Sequence, residues 1–190
     1  MNSRHIFSSA SLPEQLSHRE RFNLWRDMHY AQVATVEVGI SDLPFEATLD
    51  ATAIGPLTFA KMSGTINRVT RTPHSIRLAP PETYTFVMNL GASDIAGNYG
   101  ATDIAMHTGS AFLDASQPQQ FAGGDKNIWA NLVLPRKLLD DTFAGIEDRQ
   151  GRLIPHDNEA MGLLRNYLAM LGAAELPSTP SLLDHIDVTP

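Results

Sequence analysis

The stretch Asn127-Ile-Trp-Ala-Asn-Leu-Val-Leu-Pro-Arg-Lys-Leu-Leu-Asp-Asp-Thr-Phe143 marks a change in the hydrophobic pattern of the chain. Residues 128–134 are apolar and rich in β-forming side chains except at Asn131, which is typical of a strand covered on both faces. Pro135 has no N–H group to donate, so it predicts the end of that strand. Apolar residues then recur at helical spacing as far as Phe143. We therefore expect a β unit that ends at this proline and is followed by helices.

Upstream of this stretch, short segments alternate between apolar and polar residues, as half-buried strands do. The clearest are 33–40, 45–54, 57–62, 65–72, 84–90 and 109–114, with two shorter ones around Gly91–Gly100. About eight to ten strands at this spacing predict a barrel or a sandwich. Ahead of them, the segment 11–28 carries Phe22, Trp25 and Met28 on one face and predicts an amphipathic helix with Ser11 as its N-cap.

Downstream, residues 156–171 have helical periodicity. An apolar stripe runs along this expected helix: Met161, Leu164, Leu168 and Leu171. We expect the stripe to form a dimer interface with the same helix of a second copy, although it could instead pack on the chain's own β unit. Three further apolar residues widen the arc enough for both contacts: Leu163, Tyr167 and Met170. This width favours a homodimer.

The composition limits the classes of partner. The 190 residues include 14 basic and 21 acidic side chains and carry a net charge of −7, a poor match to nucleic acid or an anionic membrane. Cysteine is absent, which excludes disulfides and thiolate metal sites. No apolar run reaches the roughly 20 residues of a membrane span, and Met1–Leu12 lacks the apolar segment of a secretory signal. We expect one soluble, cytoplasmic domain.

Several segments follow one another in a particular order: Arg21-Phe-Asn-Leu-Trp-Arg26, Gly55-Pro-Leu-Thr-Phe59, Ile66-Asn-Arg-Val-Thr-Arg71, Gly109-Ser-Ala-Phe-Leu-Asp114 and Asn131-Leu-Val-Leu-Pro-Arg-Lys-Leu-Leu139. Over about residues 15–175, this order resembles the N-terminal, AraC-binding-like domain of AraC/XylS-type transcription regulators. The family's Leu-Pro-Arg step after the last strand is matched at Leu134–Arg136. Its strand from glycine to aspartate is matched at Gly109–Asp114.

The resemblance implies a mixed, mainly β fold: a cupin-like antiparallel β-barrel with an N-terminal helix and C-terminal helices. We place the barrel at about 30–134 and the helices at about 135–176, within a domain 1–176. Residues 177–190 are expected to be a linker toward a C-terminal helix-turn-helix domain that is absent from this chain. The implied function is ligand sensing and dimerisation in a transcription regulator, with DNA contacted only through that absent domain. No catalytic activity is expected.

A small-molecule effector of unknown identity would need a pocket with an apolar wall and a few polar groups. We expect these side chains to line it: Tyr84, Phe86, Met88, Trp129 and Arg68. The first four would also suit an ordinary core, which is the commoner role for such residues. Arg68 and Arg71 lie three apart on one predicted strand and face opposite sides, so one at most points inward. An inward arginine would attract a carboxylate. The alternative is that both lie at the surface or the strand end.

Metal and catalytic motifs are not recognisable. The seven histidines are scattered and form no His-X-His pair, so no metal site and no cofactor are expected. No Gly-X-Ser-X-Gly motif occurs, and alternation places Ser110 and Asp114 on the opposite strand face from His107. No catalytic residue is therefore predicted. Two alternatives stay open: a cupin-fold, metal-dependent enzyme and a ligand-free oligomerisation domain.

Overall fold

The computed structural model describes residues 3–32 and 36–173, which are mainly β. These two ranges contain the strands Ser3–Ser8 (β1), Glu37–Ile40 (β2), Ala47–Ile54 (β3), Leu57–Gly64 (β4), Ile66–Arg71 (β5), Thr83–Asn89 (β6), Ile95–Tyr99 (β7), Thr102–Met106 (β8), Gly109–Asp114 (β9), Gln119–Ala122 (β10), Asn127–Pro135 (β11) and Arg152–Pro155 (β12). The α-helices in the same ranges are His18–Gln32 (α1), Pro73–Leu78 (α2), Arg136–Asp140 (α3) and Glu159–Ala173 (α4).

The described strands form two antiparallel sheets. In the large sheet the order is β1-β3-β4-β11-β6-β9-β12, and in the small sheet it is β2-β5-β10-β7-β8. Buried side chains from both sheets share core clusters, for example Leu113 of β9 with Phe121 of β10. The sheets therefore face each other across the interior. The expected fold class, mainly β and antiparallel with an N-terminal helix and C-terminal helices, is confirmed.

β11 lies in the middle of the large sheet, between β4 and β6, and both of its faces are covered. One face packs in the same cluster as residues of α4. The other face lines an internal cavity with Trp129, Asn131 and Val133. Pro135 pairs with Thr83 at the end of the strand, and α3 begins at the next residue. The predictions of a doubly covered strand and of a helix after Pro135 are confirmed.

The N-terminal helix is present, but it begins at His18 rather than near Ser11. Ser17 caps it: the Ser17 backbone N–H donates to Glu20 Oε2 at 2.9 Å, and the Glu20 N–H donates to Ser17 Oγ at 3.3 Å. This reciprocal pair is a capping box, a stronger start signal than a lone serine followed by proline. Trp25 and Met28 are buried, as the predicted apolar face requires.

Several described elements were not expected from the alternation. β10 lies within residues 117–125, which the sequence indicated to be mostly turn, and α2 lies between prolines that indicated a loop. β1 and β12 are the edge strands of the large sheet and extend it beyond the expected limits of about 30 and 134. Residues 33–35, within the first predicted strand, and the expected linker 177–190 lie outside the described residues.

The predicted C-terminal helix is confirmed as α4, but its apolar stripe faces inward. Met161 and Leu168 are buried and Leu164 packs beside them, in a cluster with Met88 and Leu132 of the large sheet. Leu171 is half-buried. The stripe turns inward because β6 and β11 offer an apolar face for it to cover. The prediction that these side chains form a dimer interface is therefore corrected for Met161, Leu164 and Leu168, which belong to the core of their own chain.

Candidate ligand-binding site

A cavity of about 660 Å³ lies between the large and the small sheets. Both sheets contribute to its apolar wall, which includes Leu49, Met62, Val69, Leu113, Phe121 and Trp129. Small-molecule sites typically have about 300–1,000 Å³ and a mainly apolar lining with a few polar groups. The cavity therefore has the size and the wall of a ligand site.

The charged groups at the cavity are all of one sign. Arg68 and Arg71 contribute to its lining, and no aspartate, glutamate or lysine of the described residues does. The positive charge of the lining contrasts with the net charge of the whole chain, which is −7. The cavity is thus electropositive inside an acidic protein, and a charged ligand that it accepts should be an anion.

Arg71 is the half-buried arginine at the cavity. Its Nε atom is shielded from solvent and has no hydrogen-bond partner among the described residues. Burial lowers the pKa of Arg71, because removing water disfavours the charged form. The guanidinium nevertheless keeps its proton at neutral pH, since an arginine in a protein does not deprotonate. A positive charge with unused donors therefore lines the cavity.

Gln119 faces Arg71 directly across the antiparallel pair of β10 and β5. Its Oε1 atom is also buried without a hydrogen-bond partner among the described residues. Directly opposed residues of an antiparallel pair have Cβ atoms about 5 Å apart, so both side chains can reach one ligand group. Together they form a two-residue polar patch on a largely apolar wall.

A β-bulge decides which arginine is buried. Gly39 pairs with Arg68 and Ile40 pairs with Ile66, so Asn67 is an extra residue on β5. A bulge of this kind reverses the alternation of side chains. Ile66 therefore packs in the core together with Val69, and Arg71 follows Val69 on the same face. Arg68, the predicted pocket arginine, does contribute to the cavity lining, but its side chain is exposed. The prediction is corrected because Arg71, and not Arg68, is the arginine turned inward.

His29 of α1 adds a neutral polar group to the lining. Its ring stacks on Trp25 with centroids 4.9 Å apart, and its Nδ1 atom is buried without a partner in the described part of the chain. Burial lowers the pKa of His29 to about 4, so the imidazole is uncharged at neutral pH. It can therefore exchange a hydrogen bond with a ligand but adds no positive charge.

The predicted pocket residues divide between the two faces of the large sheet. Trp129 lines the cavity as expected. Tyr84, Phe86 and Met88 do not, because alternation on β6 turns them to the opposite face, toward α4 and Phe112. Three other residues of β6 face the cavity: Thr83, Thr85 and Val87. The more apolar face of β6 is the one that a helix covers, and apolarity alone did not distinguish a helix-covered face from a cavity wall.

Sequence reasoning also missed Gln119. Pro118, Gly123 and Gly124 surround it and indicated a turn. A weak signal was present, because Gln119 and Phe121 alternate with Gln120 and Ala122 as a short strand would. Gln119 and Phe121 are indeed the β10 residues on the inner face, opposite Arg71 and Val69.

A second polar cluster joins β9 to α3. Asp114 is only 4% exposed, and Arg136 Nη2 donates to its Oδ1 atom. Arg136 Nη1 donates to the Tyr84 hydroxyl at 2.9 Å, and that hydroxyl donates to Asp140 Oδ1 at 2.9 Å. The Arg136 guanidinium also lies over the Tyr84 ring, 4.5 Å from its centroid. The aspartate and the arginine of the two quoted motifs are therefore partners in one partly buried ion pair.

No group of three or more histidine, aspartate or glutamate side chains within residues 3–32 and 36–173 is placed to hold a metal ion. None of the helices in these ranges has both the length and the apolar character needed to cross a bilayer.

The fold is similar to that of a known protein structure, although the sequence alone finds no match. No protein-family model and no curated protein sequence matches the chain. The crystal structure of the AraC-like transcriptional activator CuxR matches with a TM-score of 0.69 and 20% identity, over 88% of this chain and 59% of that one. A cupin-2 domain, Rru_A2000 from Rhodospirillum rubrum, aligns with a TM-score of 0.35 and 14% identity, over 72% of this chain and 88% of that one.

The fold and the cavity define a mainly β domain of two facing antiparallel sheets with an internal cavity. The first comparison shows that this fold occurs in an AraC-like transcriptional activator, as the resemblance in sequence implied. The chain spans about 59% of the length of CuxR. At 20% identity the likeness establishes the fold alone.

Proposed function

We propose that this chain is the ligand-sensing domain of an AraC-type transcription regulator and catalyses no reaction. The observation that carries the proposal is the cavity of about 660 Å³, where Arg71 Nε and Gln119 Oε1 lie on an apolar wall without hydrogen-bond partners among the described residues. The fold shared with an AraC-like activator supports the regulatory role. DNA would be contacted through a separate helix-turn-helix domain. Two helix-turn-helix patterns encoded within roughly 100 residues after Pro190 would support this assignment, and their absence would contradict it.

The connection between β9 and α3 offers a route for ligand control. Leu113 and Ala115 line the cavity, while Asp114 between them holds Arg136 at the start of α3. A ligand that contacts β9 can therefore favour one placement of the C-terminal helices over another. Such control needs a difference in affinity between the two arrangements, typically about 1–3 kcal/mol.

The first test is whether the cavity admits a small molecule. Phenylbutanol, an uncharged apolar probe, is expected to bind wild-type protein at one site by isothermal titration calorimetry. Ala60→Trp places an indole in the cavity and should abolish binding, because the space is then occupied. Ala105→Trp adds the same side chain at an exposed position on β8 and should leave binding unchanged. Binding that persists in Ala60→Trp would place the probe elsewhere and contradict the proposal.

We also propose that the domain forms a homodimer through the outer face of α4. The exposed apolar residues of this face are Leu163 at 72%, Tyr167 at 56% and Met170 at 72%. They lie four and three residues apart and so share one side of the helix. Apolar contacts at this spacing allow two copies to pack in an isologous pair. This face replaces the inward stripe as the expected interface.

A double substitution, Leu163→Glu with Met170→Glu, is expected to raise the dimer dissociation constant by roughly 100-fold, because it buries unpaired charge in the interface. Sedimentation velocity measures the change. Leu78→Glu is the matched control, since Leu78 is a 65% exposed leucine on α2, and it should leave dimerisation intact. A monomeric wild-type protein, or a variant that dimerises as tightly as wild type, would contradict the proposal.

A further inference from the structure

We propose that the cavity binds an anionic ligand, with a carboxylate or phosphate group held by Arg71 and Gln119 and an apolar body against Phe121 and Trp129. This inference rests on the proposed ligand-sensing function and names the chemical class of the ligand. It follows from the charge of the lining, from the unused donors of Arg71, and from the apolar character of the remaining wall.

The unused donors of Arg71 are the central observation. A buried charge without a partner opposes folding, so proteins normally pair it or hydrogen-bond it. Arg71 has neither kind of partner among the described residues, although the chain contains 21 acidic side chains. A bound carboxylate or phosphate would supply the missing acceptors, since its oxygens match the planar guanidinium two at a time.

Gln119 extends the same site. Its amide carries two N–H donors and an oxygen acceptor, and the buried Oε1 atom has no partner among the described residues. With Arg71 directly opposite, the amide can donate to a second oxygen of the same anion. A cationic ligand would be repelled, because the described lining contains two arginines and no carboxylate. A polyhydroxylated neutral ligand would leave most of its hydroxyls against apolar side chains, which is unfavourable.

The apolar wall determines the remainder of the ligand. Phe121 of the small sheet and Trp129 of the large sheet both line the cavity. An inorganic anion alone would leave that wall empty. The ligand is therefore an organic acid or a phosphate ester with an aromatic or aliphatic body. The uncharged His29 adds a hydrogen-bonding group but no further attraction for the anion.

A matched set of probes tests the class. Phenylpentanoate, phenylbutyl phosphate, phenylbutanol and phenylbutylammonium share one apolar body, a phenyl ring with four methylenes, and differ in the head group. By isothermal titration calorimetry, at least one of the two anions should bind about tenfold or more tightly than phenylbutanol, and the ammonium should bind least. The tighter of the two anions identifies carboxylate or phosphate as the preferred group.

The outcomes separate the two proposals. If all four probes fail to bind, the cavity is not a ligand site and the proposed function fails with the inference. If phenylbutanol binds as tightly as the tighter anion, the cavity accepts ligands but the anionic class is overturned.

Variants then test the assigned residue. Arg71→Met keeps most of the side-chain volume and should abolish the preference for the anion while phenylbutanol still binds. Arg71→Lys should retain part of the preference, because it keeps the charge but loses the paired donors. Arg68→Met removes the exposed arginine and should change the preference little. An Arg71→Met variant that still prefers the anion would overturn the assignment.

The ligand-free protein gives a second, independent measurement. Because Arg71→Met removes a half-buried charge whose Nε has no partner among the described residues, the Tm of the ligand-free variant should rise by roughly 4 °C. Differential scanning calorimetry measures this change. An unchanged or lowered Tm would mean that Arg71 is already satisfied within the protein, and it would overturn the inference.

Discussion

Replacing Trp25 by alanine lowers the free energy of unfolding by about 4 kcal/mol, as expected for a large aromatic side chain removed from a filled core. Trp25 is fully buried, stacked on Phe7 of β1 with ring centroids 5.2 Å apart, and the edge-to-face contact with Phe45 has a centroid distance of 6.0 Å. The substitution therefore removes the side chain that joins α1, β1 and the segment before β3. Urea denaturation followed by circular dichroism measures the loss.

Leu24→Ala is the matched control for Trp25→Ala. Leu24 precedes Trp25 on the same helix but is 40% exposed, so its truncation should cost no more than about 0.5 kcal/mol. Both substitutions introduce alanine into α1, and tryptophan has a lower helix propensity than leucine, so helix propensity cannot explain a larger loss for Trp25→Ala. A Trp25→Ala variant that loses less than 1 kcal/mol would show that the indole is not the anchor of α1.

Replacing Arg136 by methionine is expected to lower the free energy of unfolding by about 3 kcal/mol. The variant leaves the Asp114 carboxylate, which is 4% exposed, without its charged partner, and it also removes the donor to the Tyr84 hydroxyl. Breaking a buried pair from one side is costly because the remaining charge stays desolvated. The figure lies at the lower end of the usual range, since the Arg136 side chain is itself 29% exposed.

The neighbouring residue provides the control for Arg136→Met. Lys137 forms an i,i+4 ion pair with Asp141 in which both side chains are exposed, and Lys137→Met should cost at most about 0.5 kcal/mol. A double-mutant cycle with Asp114→Asn measures the interaction energy between the two side chains. The double variant should lose much less stability than the sum of the losses in the two single variants. Additive losses would show that Arg136 and Asp114 act independently and would remove the proposed route from the cavity to α3.

The periodicity of the sequence indicated much of the fold. β9 has the expected bounds, and β3, β4, β5 and β6 lie within two residues of theirs, because alternation along each strand reports which side faces the core. β10 was missed because its four residues lie between prolines and glycines that favour turns. β1 and β12 were missed because short edge strands need only one paired neighbour and leave a weak pattern.

The candidate site depended on information that no single segment contains. The face of β6 that carries Tyr84, Phe86 and Met88 is the more apolar one, yet α4 covers it and the cavity lies on the other side. Arg71 is turned inward by the bulge at Asn67, which appears only in the pairing of β5 with β2. Likewise, Asp114 and Arg136 were quoted as separate motifs, and folding brings them into contact across 22 residues.

The sequence by itself determined that the chain is mainly β, that a central strand ends at Pro135, and that helices follow, because hydrophobic period and proline geometry are local properties. The tertiary structure alone decided which face of each element is covered by protein and which borders open space. That choice depends on register, bulges and the packing of distant segments. For this reason the inward stripe of α4 became core, and Arg71 rather than Arg68 has its Nε atom buried at the cavity.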